Sequence, residues 1–258
     1  MFSVSKFVLK RIKENMNPQF STILFYGLVA GLATVAGIYL VLFKEAWARK
    51  NSIYLISFSA GVLLSTAIAH LLPESQELNT NALIWLLLSF VLFYILEHGI
   101  ILHSCGETGE CEVHPVDKIA MLGIGFHSLL DGIVIGVGFE ISFALGIIAT
   151  LSVLLHEVPE GISTVSILLH SGYTRKKAIL FSWIVALATP VGAILAVLLL
   201  NDIQENVLGA LLAVAAGSFL YVAASDLIPE IHRQSKLLNI VLVIFGVAFP
   251  FIIRLVLG

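Results

Sequence analysis

Long apolar runs occupy most of this 258-residue chain and restrict its fold more than any other feature. A helix needs roughly 20 apolar residues to cross a bilayer. Eight segments qualify: 20–43, 53–74, 82–103, 118–139, 141–170, 178–200, 207–231 and 237–257. Lipid offers no partner to free backbone groups, and these runs lack the alternating polarity of a strand barrel. We therefore predict an all-α integral membrane protein, a bundle of eight transmembrane helices in contact with the lipid bilayer.

Composition and the first residues agree with this class. Hydrophobic residues make up 59% of the chain and charged residues only 12%, whereas a soluble domain carries about 25% charge. The net charge of -3 argues against a nucleic-acid partner. Residues 1–19 lack the apolar core of a signal peptide and alternate basic with apolar residues. They are interpreted as an amphipathic segment on the membrane surface, or alternatively as a frayed tail, before a transporter domain at 20–258.

Basic residues in the short loops predict the orientation of the helices. The odd-numbered loops carry the Lys and Arg residues Lys44, Arg49, Lys50, Lys118, Arg175, Lys176, Lys177, Arg233 and Lys236. The even-numbered loops carry acidic residues and no Lys or Arg. Because basic loops stay in the cytoplasm, both termini are predicted to lie outside.

Two pairs of segments repeat within the chain. Residues 59–74 and 215–230 share seven aligned residues, ending in Leu-x-Pro-Glu in both. HSLLDG at 127–132 and HEVPEG at 156–161 each place His first, an acid fifth and Gly sixth. The first pair lies on oppositely directed segments, which predicts an inverted 3+2+3 repeat like that of many secondary transporters. Easy matching of small apolar residues is the alternative explanation.

Five ionisable side chains lie near the middle of the fourth and fifth segments. Each costs at least about 2.5–3.5 kcal/mol at that depth unless it is compensated. Because residues four apart share a helix face, His127 lies beside Asp131, and His156 lies beside Glu160. Glu157 borders the second of these faces.

A divalent metal ion accounts for this group better than internal ion pairs do. Imidazole and carboxylate groups are ligands of zinc and of other transition metals. Ion pairs that merely join the two helices would leave surplus negative charge, since neither segment has Lys or Arg in its interior. We therefore expect Zn²⁺, or a similar divalent transition metal, as a bound substrate and no catalytic cofactor.

With these motifs the chain resembles the ZIP (Zrt/Irt-like) family of metal transporters. The resemblance rests on HSLLDG, HEVPEG and the HLLPE that ends the second segment. It implies transport of zinc, or of iron, manganese or cadmium, into the cytosol. It further implies a site between helices four and five and a homodimer in which helices one, four, five and six move against the other four. The metal ligands implied are His127, Asp131, His156, Glu157 and Glu160.

The chain departs from the family pattern in two places. Many members have Asn where this chain has Ser128, a weaker ligand. Some members carry an acid on helix six, and segment 178–200 contains none. We therefore expect one strong site and a weak second site at most.

Other residues are candidates for the metal pathway. Ser163 and His170 would form a cytoplasmic exit, or His170 is a solvated helix end. His70 and Glu74 would collect cations at the outer mouth, or they are ordinary charged loop ends. The cytoplasmic loop 104–117 is interpreted as a metal-binding loop rather than a plain linker, with the candidate ligands His103, Cys105, Cys111 and His114.

Two other functions are compatible with such a site. His156-Glu157-x-x-Glu160 resembles the zinc-protease motif H-E-x-x-H, although the second His is replaced. The alternatives to transport are therefore a membrane-embedded zinc-dependent hydrolase and a metal sensor that does not transport. The compact chain favours a bacterial inner membrane as its location.

Overall fold

Eight helices are present in the computed structural model, which describes residues 18–104, 113–200, 204–234 and 236–257. One continuous stretch, Pro18–Thr66, contains α1 and α2, which are separated where the backbone at Lys44 leaves helical geometry. The others are α3 (Ala82–Ser104), α4 (Val113–Ile141), α5 (Phe143–His170), α6 (Arg175–Leu200), α7 and α8 (Leu237–Leu257). Helix α7 begins with Glu205–Tyr221 and continues to Arg233. No strand occurs in these ranges.

The predicted all-α membrane architecture is confirmed. Seven described helices are long and apolar enough to cross a bilayer. The eighth, α3, is 23 residues long, and the part whose side chains are described, Ala82–Leu96, is also apolar. The proposed amphipathic segment at 1–19 lies almost entirely outside the described residues. The side of the membrane that each terminus faces stays a prediction.

The internal repeat predicted from residues 59–74 and 215–230 has the same local geometry in both copies. Helix α2 passes through a π-helical turn at Ala67–Leu71 and continues as Leu72–Leu78. Helix α7 does the same at Val222–Leu227 and continues as Ile228–Arg233. Each continuation has a proline in its first turn. The two matching sequences therefore fold into matching interrupted helices.

The second repeat, between α4 and α5, is also present in the packing. A Cβ atom added at Gly161 of α5 would overlap the carbonyl oxygen of Thr34 in α1. A Cβ atom at Gly132 of α4 would overlap the carbonyl oxygen of Thr189 in α6 in the same way. The contact of α5 with α1 therefore repeats as the contact of α4 with α6, and each depends on a glycine that lets the backbones approach closely.

These close glycine contacts divide the helices into two groups. Within the first bundle, defined as α1, α4, α5 and α6, glycines of α1 also approach the backbones of α5 and α6. Within the second bundle, defined as α2, α3, α7 and α8, Gly61 lies against α8 and Gly217 against α3. Among the glycines in the described ranges, none makes such a contact between the two bundles.

Hydroxyl groups connect the two bundles. The Ser59 hydroxyl of α2 donates to the carbonyl oxygen of Leu155 in α5 at 2.6 Å. That carbonyl is four residues before Pro159, which has no N–H to offer it. Thr66 of α2 and Ser152 of α5 are 2.6 Å apart through their hydroxyl oxygens. This boundary therefore combines individual hydrogen bonds with an apolar core to which both bundles contribute buried side chains, whereas the close glycine contacts lie inside each bundle.

Candidate metal centre

Four of the five predicted ligands come together between α4 and α5. One ligand atom from each of these four side chains lies within 4.8 Å of the other three. Residues four apart on each helix supply them, and the glycines that follow bring the surrounding helices close. The four are His127, Asp131, His156 and Glu160. Three of them are buried, with Asp131 at 0% exposure, and Glu160 is partly exposed.

The ring of His156 is oriented toward this cluster by its own helix. Its Nδ1 atom lies 2.8 Å from the carbonyl oxygen of Ser152, which can only accept, so Nδ1 carries the proton. In the neutral ring, Nε2 then has a lone pair, and it faces Oδ2 of Asp131 at 3.0 Å. Two acceptors at this distance require a shared cation, which is either a proton on the ring or a metal ion.

His127 presents a nitrogen without a hydrogen-bond partner. Its Nδ1 atom contacts the hydroxyl of Ser218 in α7 at 2.8 Å. Its Nε2 atom is buried, has no hydrogen-bond partner among the described residues and lies 3.5 Å from Oδ2 of Asp131. The other oxygen of Asp131, Oδ1, is also buried without a hydrogen-bond partner. Buried polar atoms rarely lack a hydrogen-bond partner, so Nε2 of His127 and Oδ1 of Asp131 together indicate a place for a ligand.

Glu160 is held by Ser128, the residue that replaces Asn of the family pattern. The Ser128 hydroxyl lies 2.6 Å from Oε1 of Glu160 and 2.9 Å from the carbonyl oxygen of Ile124, so its single proton is shared between them. Ser128 is fully buried. In this arrangement Ser128 supports a predicted ligand, in addition to being close enough to the cluster to be a weak ligand itself.

Glu157 is not part of this group of four, and its carboxylate contacts two threonines. Thr189 of α6 donates to its Oε1 atom at 2.6 Å, and Thr34 of α1 donates to Oε2. All three side chains are completely buried. Thr34 and Thr189 are the residues whose carbonyl oxygens lie against Gly161 and Gly132. Glu157 therefore joins the two equivalent helices α1 and α6 to α5, and its role as a metal ligand stays a prediction.

The charge and chemistry of the cluster suit one divalent cation. Two ionised carboxylates and two neutral imidazoles carry a formal charge of -2, which one divalent ion balances. Two nitrogen and two oxygen donors match the four-coordinate preference of zinc. Zinc–ligand bonds of about 2.1 Å imply ligand separations of about 3.4 Å in a tetrahedron. The observed separations of up to 4.8 Å would have to contract modestly around the ion.

The predicted pathway residues lie outside this cluster. Ser163 and His170 are exposed on α5 beyond Glu160. His70 is buried in the π-helical turn of α2, where its ring is 5.1 Å from that of Phe251. Glu74 is half-buried one turn later. Their roles at the exit and at the outer mouth stay predictions.

The predicted metal-binding loop 104–117 lies largely outside the described residues. Cys105 and Cys111 fall in the undescribed range 105–112. His103 lies on α3 and His114 on α4, and their side chains are outside the described part of the chain. The interpretation of this loop as a metal-binding segment stays a prediction.

Sequence reasoning missed the hydroxyl residues that support the cluster. Thr34 is 123 positions from Glu157, and Ser218 is 91 positions from His127. Serine and threonine occur throughout the apolar segments, so composition does not single these positions out. For Thr34 and Thr189 the available signal was the repeat itself, since the glycines of the two motifs require equivalent partners on α1 and α6. The sequence held no such signal for Ser218.

This geometry defines a class of protein. It is a multi-pass helical membrane protein with a buried histidine–carboxylate cluster between two central helices. The profile of the family described as "ZIP Zinc transporter" matches residues 103–254, or 152 of 258 residues. The chain belongs to the ZIP zinc transporter family, which confirms the resemblance drawn from the motifs.

Individual relatives carry the same description. Zinc transporter zipt-7.1 of Caenorhabditis briggsae is 32% identical over 145 residues, which cover 50% of this chain and 37% of that protein. Zinc transporter ZIP10 of Homo sapiens is 29% identical over 165 residues, which cover 60% of this chain and 20% of that protein. Zinc transporter SLC39A7 of Mus musculus is 33% identical over 126 residues, which cover 46% of this chain and 26% of that protein. The matches thus span between a fifth and just over a third of the length of these relatives.

Proposed function

We propose that this protein transports Zn²⁺ across a membrane and that the ion binds between α4 and α5. The buried cluster of His127, Asp131, His156 and Glu160 carries this proposal. It combines donors that zinc prefers, a charge that a divalent ion balances, and two atoms without hydrogen-bond partners. Membership of the family supports transport as the purpose of binding. Iron, manganese and cadmium are further candidate substrates.

Four donors also favour transport over hydrolysis. A catalytic zinc keeps one position open for water, with three protein ligands. Here Glu160 stands where the zinc-protease motif has its second histidine, and Asp131 and His127 add two donors from another helix. A zinc ion held by all four would have no open position in a tetrahedral arrangement. The relatives are likewise named as transporters and not as hydrolases or sensors.

We propose that the first bundle carries the metal by sliding against the second in an elevator-type movement. Every ligand of the cluster lies on α4 or α5 of the first bundle. Close glycine contacts hold each bundle together, while hydroxyl hydrogen bonds connect them. A net hydrogen bond contributes only about 0.5–1.5 kcal/mol. The glycine contacts, which interlock the backbones, lie inside each bundle, and this supports relative movement at the boundary between the bundles.

Movement of the metal into the cytosol is the proposed direction. The half of α4 that precedes His127 is predicted to be cytoplasmic. There Leu122 is 72% exposed, and Cβ atoms added at Gly123 and Gly125 would contact nothing within 4 Å. The half that follows Asp131 is buried, including Val134, Ile135 and Val137. The difference shows that α4 is less covered by the other described helices before His127 than after Asp131. The direction itself is supported by the resemblance to the ZIP family.

The oligomeric state of the protein and the membrane in which it lies are also proposals. We propose that it forms a homodimer, as the family resemblance implies. We further propose a bacterial inner membrane as its location.

Zinc uptake into proteoliposomes tests the transport proposal. The wild-type protein is expected to accumulate Zn²⁺ inside vesicles that contain a zinc-sensitive dye. His127→Ala and Glu160→Ala are expected to lose most of this uptake, because each removes one of four ligands. Ser65→Ala, which alters a buried hydroxyl with no hydrogen-bond partner in α2, is the control and should transport normally. Normal uptake by His127→Ala or Glu160→Ala would contradict the assignment of the site.

A further inference from the structure

The two histidines of the cluster are covered by neighbouring residues of the second bundle. Ser218 in α7 contacts Nδ1 of His127 at 2.8 Å. The adjacent Phe219 packs its edge against the ring of His156, with the ring centroids 5.6 Å apart. Both residues are 1% exposed. Two consecutive residues on the opposite bundle therefore touch both imidazoles of the proposed metal site.

Ser218 differs in this respect from the other supports of the cluster. His156 is oriented by the Ser152 carbonyl of its own helix, and Glu160 is held by Ser128 of α4. Both of these supports belong to the first bundle and would travel with the ligands. Ser218 belongs to the second bundle, so its contact with His127 would break if the bundles slid past each other.

The hydroxyl at this position is specific to one half of the repeat. Ser218 is the fourth residue of the run 215–230, and the fourth residue of the run 59–74 is Val62. Both are completely or almost completely buried. A valine cannot hydrogen-bond an imidazole, so the Ser218 contact is a feature of α7 that its repeat partner α2 lacks.

We propose that Ser218 is a positioning residue that orients His127 for metal binding only in the present relation of the two bundles. A histidine that binds zinc through Nε2 carries its proton on Nδ1, and this N–H group would donate a hydrogen bond to the Ser218 hydroxyl oxygen. Such partners fix the ring orientation, and losing one typically lowers metal affinity about 10–100-fold. Sliding of the first bundle would remove this partner and lower the affinity of the site. This inference rests on the proposed function and adds a physical cause for release of the metal ion from the site.

Zn²⁺ titration of purified variants tests the proposal. Ser218→Ala should weaken Zn²⁺ binding about 10–100-fold, measured against a competing fluorescent chelator. Ser218→Thr, which keeps a hydroxyl, should recover most of the affinity. Ser65→Ala, in the same bundle and also buried, should bind as tightly as the wild type. In vesicles, Ser218→Ala should raise the KM for Zn²⁺ uptake much more than it lowers the maximal rate.

Several outcomes would overturn the inference. Binding by Ser218→Ala within about twofold of wild type would show that the hydroxyl does not orient His127. Equal weakening in Ser218→Ala and Ser65→Ala, or in Ser218→Ala and Ser218→Thr, would show a packing effect. If Ser218→Ala does not fold, Ser218→Val is measured instead, since valine occupies the matching position 62 of the repeat and can neither hydrogen-bond His127 nor bind zinc. Failure of the wild type itself to bind Zn²⁺ would refute the proposed function, separately from the role of Ser218.

Discussion

The Nε2 atom of His156 lies 3.0 Å from Oδ2 of Asp131, across the boundary between α5 and α4. Because Ser152 holds the proton of His156 on Nδ1, both facing atoms are acceptors in the neutral state. A proton between the two atoms, or a metal ion bound to both, resolves this mismatch. This relationship connects the fold to the proposed function, since two motifs from separate helices meet at one place that needs positive charge.

The hydroxyl contacts of Glu157 predict a stability effect. Thr34→Val and Thr189→Val each remove one donor from a completely buried carboxylate and keep the shape of the side chain. Each should lower the free energy of unfolding by about 1–3 kcal/mol, because a buried acceptor is left unsatisfied. Thermal unfolding of the purified protein in detergent measures this effect.

A matched control for this experiment lies on α5. Thr150 is buried, and its hydroxyl donates to the carbonyl oxygen of Gly146 within the same helix. Thr150→Val should therefore lower the free energy of unfolding much less than Thr34→Val or Thr189→Val does. Wild-type unfolding temperatures for Thr34→Val and Thr189→Val would show that these hydroxyls do not hold Glu157.

Gly132 and Gly125 on α4 predict opposite responses to the same change. In Gly132→Ala the new methyl group would overlap the carbonyl oxygen of Thr189, so α4 and α6 must separate. Overpacking of this kind typically costs about 1–3 kcal/mol. Gly125→Ala places its methyl group in open space and should be neutral or slightly stabilising, because alanine favours helix. Thermal unfolding of the two variants compares them, and equal effects would contradict the packing described for α6.

Much of this arrangement could be predicted from residue patterns. The apolar segments defined eight helices because a bilayer allows few alternatives. The spacing of His127 with Asp131, and of His156 with Glu160, placed each pair on one helix face. The repeated Gly after each motif indicated close packing. These features depend on local spacing, which a single sequence displays directly.

Other features depend on contacts between distant residues. The direction of the Glu157 carboxylate follows from Thr34 and Thr189, which lie on two other helices. Position 157 borders the same helix face as Glu160, so spacing predicts it as a ligand but does not predict its contacts with the two threonines. The role of Ser128 as a donor to Glu160 likewise depends on how α4 packs against α5. Helical periodicity contains no information about these partners.

A disulfide between α2 and α5 should stop transport if the bundles slide. Thr66 and Ser152 lie on opposite bundles with hydroxyl oxygens 2.6 Å apart. We expect Thr66→Cys/Ser152→Cys, in a background of Cys105→Ser/Cys111→Ser, to lose zinc uptake after oxidation with diamide and to recover it after reduction. Each single-cysteine variant, treated identically, should keep its uptake. Undiminished uptake by the fully cross-linked protein would exclude sliding of α5 along α2.

The location of the bound metal tests the central claim most directly. Crystals of the protein grown with Zn²⁺ can be measured on both sides of the zinc absorption edge, which identifies the ion by its anomalous signal. We expect one strong zinc peak between His127, Asp131, His156 and Glu160, with bonds of about 2.0–2.2 Å. A strong peak elsewhere, or none among these four side chains, would contradict the central claim.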